Sequence, residues 1–290
     1  VSINSKKSNF IQKLMHSSLI RVSGTDAQNF LQGQVTCDMR EVTAQQSRLG
    51  AICNIQGRVI ATFRVFFYKE IYYLSLPSTM AAITLQHLKK YAAFSKVKLE
   101  EINDTFLHLG MVGSAIATID KTLVDSAPQQ IDAALTTTDC IIIRVAGTEP
   151  RWEIFTEKLD SRISGNDNQN AWKLLDLKAG IPTIYPETSG MFTPQMINYP
   201  ELNGVSFNKG CYLGQEIIAR THYLGKAKRT MHAITLVSQQ IPMPSKKVLN
   251  EQNEELGIIV DSVSIKNNRY ELLIVSHQDN IKDNKLKISL

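Results

Sequence analysis

Lys209-Gly210-Cys211-Tyr212-Leu213-Gly214-Gln215-Glu216 sets one cysteine between two glycines, with a cation two positions before it and a helix start just after it. Gln215 to Arg220 continue as helix-compatible residues. Glycine lets backbone approach a ligand closely or take a positive φ at no steric cost. A helix N-terminus and a nearby cation both favour the thiolate over the thiol. Two readings of Cys211 follow: a reactive thiol, or a small buried hydrophobe in a tight turn, which is how most free cysteines behave.

Working outward, Tyr185 to Asn208 carries Pro186, Pro194 and Pro200 and reads as a long loop, a feature that in compact domains is usually functional. Before it, Ala171 to Ala179 has helical periodicity, stopped by Gly180 and Pro182. After Gly225 the chain breaks into short strands (HAITLVS, ELGIIVDSV, RYELLIVS, KLKISL), which predicts a small β-barrel or sandwich. Towards the N-terminus, Thr25-Asp26-Ala27-Gln28 has the form of a capping box before a helix with Ala27, Phe30 and Leu31 on its apolar face. Arg48 to Leu76 switches to period two: Val59, Ala61, Phe63, Val65 and Phe67 alternate with Thr62, Arg64 and Tyr68. With reversals at Asn54–Gly57 and Lys69-Glu70, this predicts an antiparallel meander. Pro77-Ser78-Thr79 opens a helix whose apolar face is Ile83, Leu88, Tyr91 and Ala92. Residues 96–160 read strand, helix (SAIATIDKTL), strand, strand, most of a ferredoxin-like βαββ unit containing Trp152 as core. Ser161 to Asn170 is a linker.

Composition narrows the class. A chain of 290 residues implies two or three domains, and 43% hydrophobic with 20% charged residues is ordinary for a globular protein. No stretch approaches the length of apolar run that a membrane helix requires, and the N-terminus lacks a signal-peptide core, so the chain reads as cytoplasmic. The first residue is Val1, which reads as numbering that begins inside the natural reading frame. The net charge of +5 is a mild excess, compatible with a polyanionic partner, and its densest cluster is Lys226-Ala227-Lys228-Arg229. Cys37, Cys53, Cys140 and Cys211 contain no C-x-x-C pair, so no zinc knuckle, disulfide framework or stable cluster is expected. The six histidines have no metal-ligand spacing, and no Walker loop, G-x-S-x-G or dinucleotide fingerprint occurs.

The octapeptide is similar to the K-G-C-[FY]-x-G-Q-E signature of the YgfZ-type folate-binding proteins, factors in tRNA modification and iron–sulfur enzyme maintenance related to the glycine-cleavage T-protein. Further blocks agree: Ser23 to Asp38 (SGTDAQNFLQGQVTCD), Tyr91 to Lys96 (YAAFSK) and Ser189 to Gln195 (SGMFTPQ). The resemblance spans about the first three-quarters of the chain. It implies an α+β fold, a T-protein-like three-domain ring around a central channel that holds the folate. Residues 1–95 with 165–222 would form the folate-binding core, 96–164 a ferredoxin-like insertion, and 223–290 a C-terminal β-barrel.

The same resemblance exposes departures. By register, the acidic pair that faces the folate in the aminomethyltransferases falls on Ala61 and Thr62, neither of which can act as a base or stabilise a cation. The L-R-x-E-A-G block reads Leu175-Asp176-Leu177-Lys178-Ala179-Gly180, with a cation for the pterin-holding glutamate. Trp172 is assigned a ring contact by the resemblance, with an ordinary core role as the alternative. A second tryptophan found in some relatives would fall near Ser17, so that half of the clamp is absent here. Lys178 would pair with a folate carboxylate.

These readings imply a folate-binding accessory protein that uses tetrahydrofolate or a derivative. It would serve iron–sulfur client enzymes transiently, and tRNA indirectly, with Cys211 as its key thiol. Lys209, Gly210, Tyr212, Gly214, Gln215 and Glu216 would form the signature loop. The rival is an active folate-dependent methyl- or aminomethyltransferase that uses another carboxylate, for which Asp38, Asp26 and Glu187 are candidates. A third reading makes the loop a scaffold that only holds domains together.

Overall fold

β3 (Arg48–Cys53), β4 (Val59–Tyr68) and β5 (Ile71–Pro77) form the antiparallel meander that the period-two alternation predicts. Its second reversal is Lys69-Glu70, both residues at positive φ (50° and 61°), a tight turn whose twist matches that of paired strands. The computed structural model describes residues 9–102, 105–118, 126–157, 169–225, 227–250, 252–277 and 287–288. β2 (Ser17–Ser23) and β6 (Lys98–Ile102) complete a first sheet in the order β3-β4-β5-β2-β6. Helices α1 (Ala27–Gln34) and α2 (Ser78–Tyr91) cover one face, with Phe30, Leu31, Met80 and Leu88 buried against Ile20, Ile52, Phe63, Val65 and Leu74. On α2 the buried positions are Met80, Ala81, Thr84 and Leu88, whereas Tyr91, expected on the apolar face, is exposed.

The expected capping box is absent. Asp26 is the N-cap of α1 without a side-chain cap bond, because its carboxylate accepts the Lys96 N–H at 2.7 Å. Gln28 reaches instead to the Met39 carbonyl at 3.1 Å. A tertiary contact has thus taken the groups that a local motif would use, and it joins the Ser23–Asp38 block to the end of the Tyr91–Lys96 block.

A second sheet has the order β1-β7-β10-β9-β8, from β1 (Phe10–Lys13), β7 (Leu107–Val112), β8 (Ala134–Thr136), β9 (Cys140–Val145) and β10 (Arg151–Thr156), with its pairings antiparallel. The order β7-β10-β9 suits the three strands of the expected βαββ unit. Of its helix, Gly113–Thr118 is a 3₁₀ turn, and 119–123 lie outside the described residues. Sheet membership crosses the 95/96 boundary in both directions: β1 joins this second sheet, and β6 joins the first.

The third sheet, β11-β14-β13-β12-β15, comprises β11 (Thr230–Val237), β12 (Lys247–Leu249), β13 (Glu255–Lys266), β14 (Arg269–Ser276) and β15 (Lys287–Ile288). A closed barrel was expected, but among the described residues the sheet is open, with β11 and β15 as its edges. A closed three-part ring is likewise not established by the strand pairings. One face of this sheet (Met231, Val260, Val263, Leu273, Val275) packs with Leu177, Ile184, Tyr199 and Tyr212. Helices α3 (Gln169–Lys178) and α4 (Gln215–Leu224) flank the long Tyr185–Asn208 segment, which contains no strand or helix, as its proline content predicts. No helix among the described residues is long and apolar enough to cross a membrane.

β4 departs from a simple half-buried strand. Thr62, Arg64 and Tyr68, which alternate with the apolar set, are all buried, and so is Phe66 between them. Phe66 and Tyr68 pack with Ile141, Ile143 and Phe155 of the second sheet, and Thr62 and Arg64 line a cavity. The second sheet supplies what solvent would have covered.

Candidate functional site

The octapeptide lies in the connection that leads into α4, and Lys209, Tyr212, Leu213, Gly214 and Gln215 are bonded or packed inward. The Lys209 ammonium is buried and donates to the carbonyls of Val35 and Cys37, both at 2.7 Å. It therefore clamps the chain after α1 and does not face Cys211 as a counter-charge, contrary to the sequence reading. The Leu213 N–H donates to the Gly33 carbonyl at 3.2 Å, and Tyr212 is buried in the core beneath the third sheet. Gln215 braces the turn by accepting the Tyr212 N–H at 2.9 Å. Gly214 has φ 80°, and a Cβ there would stand 2.4 Å from the Asn54 carbonyl oxygen, so no other residue fits. Glu216 and Gly210 are exposed, and so is Cys211.

Burial separates the thiols. Desolvation pushes Cys37 up to about 12 and raises Cys53 further, which holds both as inert thiols. Cys140 is half-buried and is raised by the same cause. Cys211 alone among the four is exposed.

Lys209 makes a prediction of its own. Burial lowers its pKa from 10.5 to about 8. Between pH 8 and 10.5 the unfolded chain then binds more protons than the folded one, so the Lys209 contribution to stability rises with pH through that window. Below pH 8 the folded protein bears the cost of a buried ammonium, about 3 kcal/mol in all. A neutral amine keeps two N–H donors for the two carbonyls, so the clamp survives deprotonation. Urea unfolding at pH 7.5 and 10 should show Lys209→Met losing this rise relative to wild type. Parallel pH profiles for the two would contradict the assignment.

A cavity of about 460 Å³ opens between the first sheet, the second sheet, α3 and the 181–185 segment. Its apolar wall includes Leu49, Phe63, Leu76, Trp172 and Tyr199, and its polar wall includes Gln12, Ser17, His108, Glu153 and Asp176. The charged groups are tied into networks. Arg64 pairs with Asp132 at 2.6 Å and Glu153 at 3.3 Å. His108 Nδ1 lies 2.6 Å from Ser17 Oγ, and its ring stacks on Phe155 at 4.1 Å. Burial, reinforced by Arg64, lowers His108 to about 3, so it is a neutral imidazole at physiological pH. Lys173 bridges Asp261 at 2.7 Å and the Tyr185 hydroxyl at 2.9 Å, and the net balance with Asp261 holds it up at about 12 despite burial. Asp176 pairs with Arg151 at 2.8 Å, and desolvation outweighs that pairing and raises its pKa.

Trp172 is 4% exposed, and its ring lies against Gly110, where a Cβ would be 2.4 Å from ring carbon Cε3. The Arg151 guanidinium lies 4.7 Å from the ring centroid. The Trp172 backbone N–H donates to Gln12 Oε1 at 3.1 Å, which ties α3 to β1. Trp172 is thus both core and cavity wall, and the two sequence readings are compatible. Lys178 is not on this cavity. It lines a smaller one of about 190 Å³ beside Arg151. Ala61 is buried beneath the first sheet, and Thr62 lines the large cavity, its Oγ accepting the Ile184 N–H at 3.3 Å.

None of the three candidate carboxylates of the rival reading lines the cavity. Asp38 is held by Arg40 at 2.5 Å, which depresses its pKa well below the carboxylate range. Asp26 accepts Lys96 N–H, and Glu187 is exposed. The carboxylates that do line it, Glu153 and Asp176, come from a strand read as core and from a block read only for Lys178. A clue was the polar alternation of Trp152-Glu153-Ile154, which places Glu153 opposite its neighbours on β10. Cys211 is also absent from the cavity wall, so thiol and cavity are separate features. Among the described residues no group of three His, Cys, Asp or Glu side chains could hold a metal ion.

Comparison with known proteins places these features. A family model described as the GCVT N-terminal domain matches residues 9–157. The tRNA-modifying protein YgfZ of Colwellia psychrerythraea (strain 34H / ATCC BAA-681) is 30% identical over 249 residues, covering 84% of this chain and 76% of the relative. The protein of the same name from Hamiltonella defensa subsp. Acyrthosiphon pisum (strain 5AT) is 28% identical over 283 residues, covering 93% and 84%. Among solved structures, glycine cleavage system aminomethyltransferase T from Bartonella henselae superposes with a TM-score of 0.73 at 16% identity, covering 99% of this chain and 83% of that one. At that identity the likeness is one of fold.

Proposed function

This chain belongs to the family of the tRNA-modifying protein YgfZ and carries a GCVT N-terminal domain, and from that premise we propose that it is a tetrahydrofolate-binding accessory factor in tRNA modification. In this reading it supports iron–sulfur client enzymes transiently in the cytoplasm, touches tRNA indirectly, and uses Cys211 as its working thiol. The observation that carries the reading is a large cavity whose carboxylates are committed to arginines, with a threonine where the aminomethyltransferases place acid.

The cavity suits a reduced folate. Its 460 Å³ falls within the range of small-molecule sites, with flat apolar surfaces for a ring system. The polar wall retains a buried group without a hydrogen-bond partner, His108 Nε2, and a heterocycle rich in N–H and C=O groups would satisfy it. Trp172, Tyr199 and Phe63 would border the rings, and Gln12, Ser17, His108, Glu153 and Asp176 would meet their polar edges. The folate supplies one-carbon and redox chemistry when bound. The chain's own residues hold it, exclude water and keep His108 neutral. The unit bounds 1–95 with 165–222, 96–164 and 223–290 belong to the same proposal, with β1 and β6 exchanged between the first two.

The rival reading, aminomethyl transfer, needs a base in the cavity. Thr62 is a neutral hydroxyl, and Glu153 and Asp176 face arginines. With aminomethylated carrier protein and tetrahydrofolate, the chain should therefore show no turnover above background, while isothermal titration shows folate binding. Turnover at enzymatic rates would overturn the accessory reading, and no binding of tetrahydrofolate would overturn the folate reading.

A further inference from the structure

The charge excess of this chain sits largely in one place. Between Ile71 and Leu99 the sequence has no Asp or Glu but carries Lys89, Lys90, Lys96 and Lys98, and the remaining charges of the chain nearly cancel. These lysines come from the last turn of α2, the connection after it and the start of β6. Three backbone bonds fold that connection tightly: Ala92 N–H donates to the Lys89 carbonyl at 3.3 Å, Ser95 N–H to Ala92 at 3.0 Å, and Val97 N–H to Ser95 at 2.8 Å. Leu88, Ala92, Val97 and Leu99 turn inward to the core, so the periods of helix and strand leave the lysines outward, and all four are exposed. Among the described residues Lys98 pairs with Glu100 at 2.8 Å, whereas Lys89, Lys90 and Lys96 form no ion pair.

Two rings stand among these cations. Tyr91 is 40% exposed, and Phe94 is wholly exposed. Lysines in a last helical turn suit the helix dipole, and one apolar side chain in solvent is ordinary. Neither reason accounts for rings and lysines meeting at one tight connection that contains no acid. Neither of the two cavities described above includes these residues, so the rings offer flat faces rather than the walls of a pocket. We propose that this end of α2 binds single-stranded nucleic acid, with bases stacked on Phe94 and Tyr91 and phosphates held by Lys89, Lys90, Lys96 and Lys98. Stacking requires unpaired bases, and every base has a face to offer, so the contact tolerates sequence. The four cations provide the charge complement of a phosphate backbone. This goes beyond the reading above, in which tRNA is reached through client enzymes, and it rests on neither folate nor Cys211.

The test uses the full-length chain and fluorescein-labelled 12-nucleotide oligouridine, as RNA and as the deoxy form, read by fluorescence anisotropy at several potassium chloride concentrations. Binding should saturate, and the tighter of the two names the natural backbone. Phe94→Ala removes only an exposed ring, so the melting temperature should hold while affinity falls by about fivefold or more, the lower end for a base–aromatic stack. Lys89→Gln combined with Lys90→Gln should flatten the slope of log affinity against log salt by about 1.4, two phosphate contacts on a single strand. Wild-type affinity in Phe94→Ala, or equal binding of duplex RNA, would reduce the patch to a merely basic surface and overturn the proposal. Binding to phosphatidylserine vesicles that is lost in Phe94→Ala, without binding of either oligonucleotide, would overturn it in favour of a membrane.

Discussion

Cys211→Ser should abolish restoration of iron–sulfur enzyme activity and tRNA methylthiolation in a strain lacking the native protein, while leaving the melting temperature unchanged. The substitution is close to isosteric, and the Cys211 side chain is exposed, so the fold does not depend on the sulfur. Surface substitutions of this kind fall within about 0.5 kcal/mol. Three neighbours in the octapeptide are committed to structure: Lys209 to two carbonyls, Tyr212 to the core, and Gly214 to a close approach to the Asn54 carbonyl. Loss of function without loss of stability therefore isolates the chemistry of the thiol. Timed alkylation on the folded wild type is the companion measurement. Cys211 should label first, with Cys37 and Cys53 last because burial raises both. Full restoration by Cys211→Ser would reduce the octapeptide to a scaffold, the third reading of the sequence.

Trp172→Ala should cost about 3–5 kcal/mol of unfolding free energy, the range for emptying a buried tryptophan site. It removes the ring that covers Gly110 and lies beneath Arg151. It should also weaken tetrahydrofolate binding by about 1 kcal/mol or more, the scale of an aromatic contact. Because the two effects overlap, Trp172→Phe separates them. A phenyl ring keeps much of the packing but narrows the surface offered to a flat ligand. Calorimetry of unfolding together with folate titration on both variants is decisive. Unchanged folate affinity in Trp172→Phe and in the folded fraction of Trp172→Ala would leave Trp172 as core alone.

Local patterns carried far into the three-dimensional arrangement. The alternation in β4 and the Lys69-Glu70 reversal yield the meander directly, since strand period and turn geometry are properties of adjacent residues. The proline-rich 185–208 stretch is loop for the same local reason. The capping box failed because Asp26 found a better donor in Lys96, seventy positions away, and where a closed barrel was expected the third sheet is open among the described residues.

Sequence by itself determined the order of elements, the family, and which positions of the signature loop demand glycine or lysine chemistry. Tertiary structure alone decided where those groups point. Lys209 could be read as a partner of Cys211 because they are neighbours in the chain, yet its ammonium reaches carbonyls more than 170 residues earlier. Thr62 and Arg64 could be read as a solvated face until the second sheet enclosed them, and the pairings Arg64–Asp132 and Arg151–Asp176 join residues that no local period relates. Periodicity reports burial against an unspecified neighbour. Which neighbour arrives, and which charges it brings, depends on long-range packing, and this decided that the thiol is exposed on the surface while the cavity lies apart from it.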